Sequence, residues 1–441
     1  MISMNKNAEL LKYIVLFFIT IFLFAWEMFI YEYQFKIKYL GVVLVPFFID
    51  KNLFISNSRI LLLFLIIILH KFVAGYNFYL EYNYSDILEI LIFIMLSILF
   101  IQNFNLFINY YKQIILICSI ILIIYYITFI IINKIYLPDG IIGSCYNNFI
   151  SRNNFIFRES SHFGFSFIGI FLYSIYLVFY KNISNIKKVI FILSSVIIFL
   201  NYSTSFLISC VGLSLIIILY LIVKRKKILP FFLIFLFSSS ILYFDNQCNT
   251  RMLSTLKIIH DTTLYKFLLE QNTQKNDVIK DTQKIDVNKD TQKIDIIQNQ
   301  IEYSLSSVIY ANSFFNLKEI ATKHPFGVGF NNLHFFYKEV SIKNKNKFNK
   351  SYWNFIINLN NNDGSNNLVK MFSEFGFIFL IFFYLIIKFV FNKNISIELK
   401  LLILSPLIEQ IFFRGAGYFN GGFLFYVLFI IKFNNIKKIN T

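Results

Sequence analysis

Apolar runs and short polar breaks alternate from one end of the chain to the other. The runs fall at 11–30, 39–50, 60–75, 86–101, 113–133, 163–180, 189–201, 206–223, 228–243, 375–391, 400–416 and 421–433. A helix needs about 20 residues to cross a hydrocarbon core, somewhat fewer when its ends snorkel. The pattern therefore predicts an all-α polytopic membrane protein of about 12 transmembrane helices. Helices 1–9 occupy residues 1–243, a large outside loop spans 244–366 between helices 9 and 10, and helices 10–12 occupy 367–441. The run at 39–50 is short and carries Pro46, and NYST at 201–204 reads as a tight turn between two spans.

The long loop has its own organisation. TQKNDVIKD, TQKIDVNKD and TQKIDIIQN begin at Thr273, Thr282 and Thr291, a nine-residue repeat running through 273–299. Its charges alternate in sign and it has little bulky apolar content, so it reads as a solvated insert, with replication slippage in a tolerant loop as the simplest origin. After it, EYSLSSVIYANSFFNLKEIATKHP carries apolar residues at helical spacing. That predicts an amphipathic helix on the membrane surface or over a cavity. Lys338, Lys343, Lys345, Lys347 and Lys350 follow as a basic group, either a solvated loop or an attractor of anionic lipid or pyrophosphate.

Composition changes this picture little. The chain is 57% hydrophobic and 15% charged, as a polytopic protein should be. Its 57 phenylalanines read as lipid-facing and core packing rather than a cofactor box. The net charge of +17 is distributed between apolar runs rather than gathered on one soluble face, which argues against nucleic acid. Lys51 and Arg59, Lys112, Lys181 with Lys187 and Lys188, the run KRKK at 224–227, Lys393 and the terminal Lys437 and Lys438 occupy alternate gaps. The positive-inside rule then puts both termini in the cytoplasm and 244–366 outside. No cleavable signal peptide is evident, because the first apolar run is too long and lacks a small-residue cleavage site. Cys118, Cys145, Cys210 and Cys248 lack metal-ligand spacing; Cys145 and Cys248 fall on the outer side, where a pair is open to them.

Arginine usage carries the chemistry. Lysine fills the inner gaps, yet Arg152, Arg158, Arg251 and Arg414, four of six arginines, fall on the outer side. A guanidinium presents a planar fork that matches phosphate oxygens two at a time, whereas lysine offers a point charge. Interfacial snorkelling is the ordinary alternative. Glu159 stands beside Arg158 at the start of a span, either as a helix N-terminal carboxylate or as a general base or orienting group. His162, His324, Ser365 and Asn366 form a second rank of candidates. His70, His260 and His334 read as ordinary structural histidines. Glu27 and Glu409 are carboxylates inside apolar runs and keep a transporter reading open. No histidine and carboxylate spacing suits a metal, and no GxxxxGK[ST] loop suits ATP.

Three stretches carry a resemblance. In SRNNFIFRESSHFG (151–164), Arg152, Phe157, Glu159, Ser161, Phe163 and Gly164 follow the order R…G-x-F-x-E-P-S-x-F-G, with Ser160 where the pattern has proline. HPFGVGFNN (324–332) resembles P-x-x-G-x-G-F-x-N, and SNNLVKMFSEFG (365–376) resembles H-N-x-x-L-x-x-x-x-E-x-G. In this order, around one large loop, the chain resembles the O-antigen polymerase and ligase superfamily over roughly its second two-thirds. The resemblance implies a GT-C-like fold in a bacterial inner membrane and a transferase that joins polyprenyl-pyrophosphate-linked glycans, without metal, nucleotide sugar or other cofactor. It implies Glu159 and Arg158 as catalytic residues and Arg152, Arg158, Arg414 and Arg251 around the pyrophosphate. It implies membrane lipids and a chain-length regulator protein as partners. Ser365 stands where the ligases carry histidine, which favours polymerase over ligase; a lipid-linked oligosaccharide flippase is the further alternative.

Overall fold

The structure, a computed structural model, describes residues 2–25, 29–30, 33–34, 37–47, 58–78, 80–82, 84–136, 157, 160–244, 305–348 and 350–434. Helix α1 (Ile2–Phe24) leads through a two-residue antiparallel ladder, Phe29–Ile30 on Tyr33–Gln34, to α2 (Ile37–Leu44). Then follow α3 (Ser58–Asn77), α4 (Tyr84–Tyr136), α5 (Ser160–Tyr180), α6 (Asn185–Leu200), α7 (Thr204–Val223) and α8 (Leu229–Phe244). Beyond the repeat region come α9 (Leu305–Lys323), α10 (Leu333–Asn344), α11 (Trp353–Asn358), α12 (Asn367–Phe375), α13 (Phe379–Phe391), α14 (Ile397–Phe412) and α15 (Phe423–Phe433).

Among the described residues, four helical stretches are long and apolar enough to cross a membrane: Tyr84–Ile131, Ser161–Tyr180, Thr204–Val223 and Asn367–Phe391. Ile37–Phe47, Leu62–Asn77, Leu229–Phe244 and Phe423–Phe433 are shorter apolar helices. Three of the expected runs differ. The run at 39–50 makes only the eight residues of α2 and a 3-10 turn, Val45–Phe47, closed at Pro46. The runs at 86–101 and 113–133 are not separate spans but one helix, α4, through the polar stretch around Lys112. The 53 residues of α4 contain neither glycine nor proline, so nothing in the polar stretch breaks the helix. If straight, it would be about 80 Å long, more than twice the hydrocarbon thickness.

The core is built around α5, which packs on α6, α7 and α14, with α4 against α6 and α15. Close approach of α5 and α14 depends on Gly169, where a methyl group would lie 2.7 Å from the Leu402 carbonyl oxygen and 3.1 Å from Pro406. Around Phe104 and Phe107 the aromatic side chains of α4 and α15 interlock, with Phe425 5.0 Å from Phe107 edge to face.

Contacts gather the loops at two ends. At one end Lys181 pairs with Glu398 at 2.7 Å, Tyr180 donates to the Lys227 carbonyl, and Asn434 donates to Leu385 at 2.8 Å. The lysine-bearing gaps at 181, 224–227 and 393 meet here. At the other end lie the start of α5, the α6–α7 turn, the end of α14 and the whole of α9–α11. The lysine pattern expects the first of these ends to be the inner face and the second the outer. Reporter fusions after Lys227 and after Asn299 should report opposite sides; a common side would contradict the pattern. The nonapeptide repeats, Arg251, and Cys145 with Cys248 lie outside the described residues, while Cys118 and Cys210 are buried free thiols.

Candidate functional site

Residues 305–364 form a helical cap rather than one surface helix. The amphipathic stretch is α9, whose apolar residues pack within the cap. Val308 and Ala311 pack with Phe348 and Ile356, and Ile320 packs with Val328, Leu333, Tyr337 and Val340. Polar residues tie the layers: Ser313 Oγ lies 2.8 Å from the Tyr337 hydroxyl and 2.7 Å from Ser365 Oγ, and Asn316 donates to Ser341 at 2.7 Å. Burial pushes the Tyr337 hydroxyl up to about 12, so it stays protonated. Three lysines of the basic group have local partners. Lys343 pairs with Glu339 at 2.6 Å, Lys345 lies 4.8 Å over the Trp353 ring and Lys347 lies 4.6 Å over Phe315.

The two C-terminal motif stretches interlock beneath this cap. Val328 N donates to Ser373 O at 3.0 Å, Gly329 N to Glu374 O at 2.9 Å and Phe377 N to Pro325 O at 2.9 Å. The backbones approach so closely that only glycine fits. A methyl group on Gly327 (φ +83°) would lie 2.2 Å from Glu374 O, and one on Gly376 (φ +55°) would lie 1.9 Å from Pro325 O. The P-x-G-x-G and E-x-G patterns are therefore one structural unit read twice along the chain.

A buried charge network fastens that unit to α3 and to the loop before α15. Glu374 Oε2 accepts from Asn331 N at 2.8 Å and from the Tyr418 hydroxyl, and Oε1 accepts from Leu333 N at 3.3 Å. Lys370 Nζ lies 3.4 Å from Glu374 Oε1 and donates to Asn331 Oδ1 at 2.9 Å and to the Asn362 carbonyl. From α3, Lys71 Nζ donates to Phe330 O at 3.0 Å and to Asn332 Oδ1 at 2.9 Å, and Asn331 donates to Glu89 on α4. Lys71, Lys370 and Glu374 are all buried. Such a network tolerates burial only because each charge finds opposite charge and hydrogen bonds.

The same end holds the loop after α14. Asn366 caps α12 by accepting from Val369 N at 2.9 Å, and Ser365 before it takes a left-handed φ of +71°. Gly415 N donates to Ser365 O at 3.2 Å and Gly417 N to Asn367 Oδ1 at 3.2 Å, so Arg414 is held at the N-terminus of α12. Tyr310 of α9 donates to the Phe412 carbonyl; burial raises its hydroxyl to about 12, partly offset by the Asn366 side chain. One α-helical turn earlier, Glu409 lies against Gly164 at the start of α5.

Arg414, Ser365 and Asn366 are thus brought together, and Gly164 of the first stretch is brought close to them. Phe157 is buried against Phe163 and Phe167, and His162 is buried beside Phe165. Arg152, Arg158, Glu159 and Arg251 lie outside the described residues. His324 is held apart, in edge contact with Phe78 and Phe336. His70, read from sequence as an ordinary structural residue, belongs to the interlock: its Nε2 lies 3.0 Å from Phe326 O and its ring stacks on Phe375. Sequence reasoning missed Lys71, Glu89, Lys370 and Tyr418. A lysine inside the third apolar run was the available signal for Lys71. Among the described residues no group of three or more His, Cys, Asp or Glu side chains could hold a metal ion.

Burial, and then Lys323, lower the affinity of His324 for a proton below its ordinary 6.5. Unfolding therefore takes up a proton as pH falls from 6.5 through that lowered value, and this contribution to stability is lost across the window. The cap's contact with Phe78 should therefore loosen on acidification through the lowered value. Hydrogen exchange of 324–336 should rise on acidification, and His324→Gln should remove most of the rise.

No protein-family model, curated protein or solved structure matches this chain.

Proposed function

We propose that the protein is a polymerase of lipid-linked glycans, of the O-antigen type that the three motif stretches resemble. It would work at the outer face of a bacterial inner membrane, with a GT-C-like bundle beneath the cap. The observation that supports this most is convergence: 324–332 interlocks with 365–376, the Arg414 loop bonds to Ser365 and Asn367, and Gly164 lies beside Glu409 at the same end.

In this reading the donor's polyprenyl pyrophosphate binds at the outer end. Arg152 and Arg158, with Arg414 and Arg251, hold it by paired hydrogen bonds. An acceptor sugar hydroxyl attacks the anomeric carbon, and the bond from that carbon to pyrophosphate oxygen breaks. Direct displacement inverts the carbon. The charge on the leaving pyrophosphate needs fixed cations in a poorly hydrated interface, which arginine supplies because it does not lose its proton there. Glu159 takes the hydroxyl proton or holds Arg158 in place. The sugar–phosphate bond is itself the energy source.

Deleting the gene and resolving the surface glycan on a gel tests the reading. Collapse of the ladder to a single repeat unit on its acceptor supports a polymerase. Loss of all attached glycan indicates a ligase or a flippase instead, and an unchanged ladder contradicts the reading.

A further inference from the structure

Glu409 stands in the last turn of α14 with no exposed surface, and neither carboxyl oxygen has a hydrogen-bond partner among the described residues. Its neighbours come from three elements. On α5, a methyl group added to Gly164 would lie 3.3 Å from Glu409 Oε1 and 3.2 Å from Ser203 Oγ, so Gly164 lets the acid and the α6–α7 turn close on one point. On α7, the Cys210 thiol is near enough to feel a charge on Glu409. Ser203 Oγ is already engaged, accepting from Phe206 N at 3.2 Å and bonding Ser205 at 3.0 Å.

The titratable groups on the packed elements do not compensate it. They include His162 on α5, Cys210 on α7, Tyr426 on α15, and Lys370 and Glu374 on α12, with Arg414 in the following loop. Lys370 is committed to Glu374 and Asn331. Phe413 N and Arg414 N both bond to the Glu409 carbonyl oxygen, so the carboxyl also sits at the negative end of its own helix. With no exposed surface and no hydrogen-bond donor to either oxygen among the described residues, a neutral acid there costs far less than a carboxylate.

We propose that Glu409 is a proton-binding residue, held as the neutral carboxylic acid in the closed protein and placed to give or take a proton at the outer end of the bundle. This stands on the burial and packing of Glu409 and does not depend on the polymerase reading. The ligand is the proton alone.

Thermal unfolding of the purified full chain, wild type against Glu409→Gln, tests this across a pH series. Unfolding exposes an ordinary carboxyl, which releases its proton near neutral pH. The group should therefore raise the unfolding constant about tenfold per pH unit above the range where a free carboxyl titrates. Glu409→Gln copies the neutral acid in shape, so it should abolish that slope and melt higher than wild type near neutral pH. A variant that melts lower, with the slope intact, would mean an ionised Glu409 with a cationic partner and would overturn the proposal. A second measurement needs no variant. Dicyclohexylcarbodiimide adds to protonated carboxyls in apolar surroundings, and the O-acylisourea formed rearranges to a stable N-acylurea. In native membranes near neutral pH, the peptide bearing Glu409 should gain the mass of the reagent. An unmodified peptide together with a lower-melting Glu409→Gln would refute the neutral acid.

Discussion

Glu374→Ala is expected to cost roughly 3–5 kcal/mol, the range for breaking a buried ion pair from one side. The substitution leaves Lys370 buried without its carboxylate and strips an acceptor from Asn331 N, Leu333 N and the Tyr418 hydroxyl. Lys71 loses the strongest of the opposite charges that act on it. The cap should detach from α3 and α12 while the rest of the bundle persists, because α5, α7 and α14 pack without it. Thermal unfolding in detergent and limited proteolysis within 305–364 would read this. The double variant Glu374→Ala/Lys370→Ala should be less damaged than the sum of the singles, since the second change removes the stranded charge. Additive losses would mean that the pair is not coupled.

Gly376→Ala should be nearly as severe. The residue holds φ +55° and ψ −138°, a region that is all but closed to side chains, at a cost of about 1–3 kcal/mol. Its new methyl group would also meet Pro325 O at 1.9 Å and Gly327 N at 2.6 Å, both backbone atoms that cannot swing aside. The bonds from Phe377 N to Pro325 O and from Gly329 N to Glu374 O would be strained or lost, at roughly 1 kcal/mol each. Two controls separate clash from conformation. Gly417 has φ +82° but open space around it, so Gly417→Ala carries only the conformational cost. Gly212 lies in α7 with nothing within 4 Å, and Gly212→Ala should stabilise by about 0.5–1 kcal/mol.

How much of this was legible in the sequence depended on distance along the chain. Local signals served well. The turn at 201–204 is there, with Ser203 capping α7 by accepting from Phe206 N, and Asn366, the last residue of the expected loop, is the N-cap of α12. Gly327 and Gly329, both at positive φ, turn the chain ahead of α10, with Gly327 N donating to His324 O at 2.8 Å. The break expected around Lys112 failed because polar residues alone do not end a helix; α4 has no breaker until Pro138 follows it. The shortness of α2 was visible in Pro46, but its 3-10 ending was not. The lock could not be read at all, since Lys71 and Glu374 lie some three hundred positions apart and each looks like an isolated charge in an apolar run. The same holds for Gly164 and Glu409, which only the packing of α5 on α14 brings together.

The central claim is that glycan transfer occurs at the end where the motif stretches converge. The most direct measurement is the surface-glycan ladder of a deletion strain complemented with single variants at matched protein level. Arg158→Ala and Glu159→Gln should each reduce polymer by roughly 10²-fold or more, the usual loss for a missing electrostatic or acid–base group. Arg158→Lys, which keeps the charge but loses the fork, should be impaired. Arg414→Ala should shorten the ladder, whereas Lys181→Ala and Lys226→Ala, at the opposite end, should leave it unchanged. Wild-type ladders from all the outer-end variants would contradict the account.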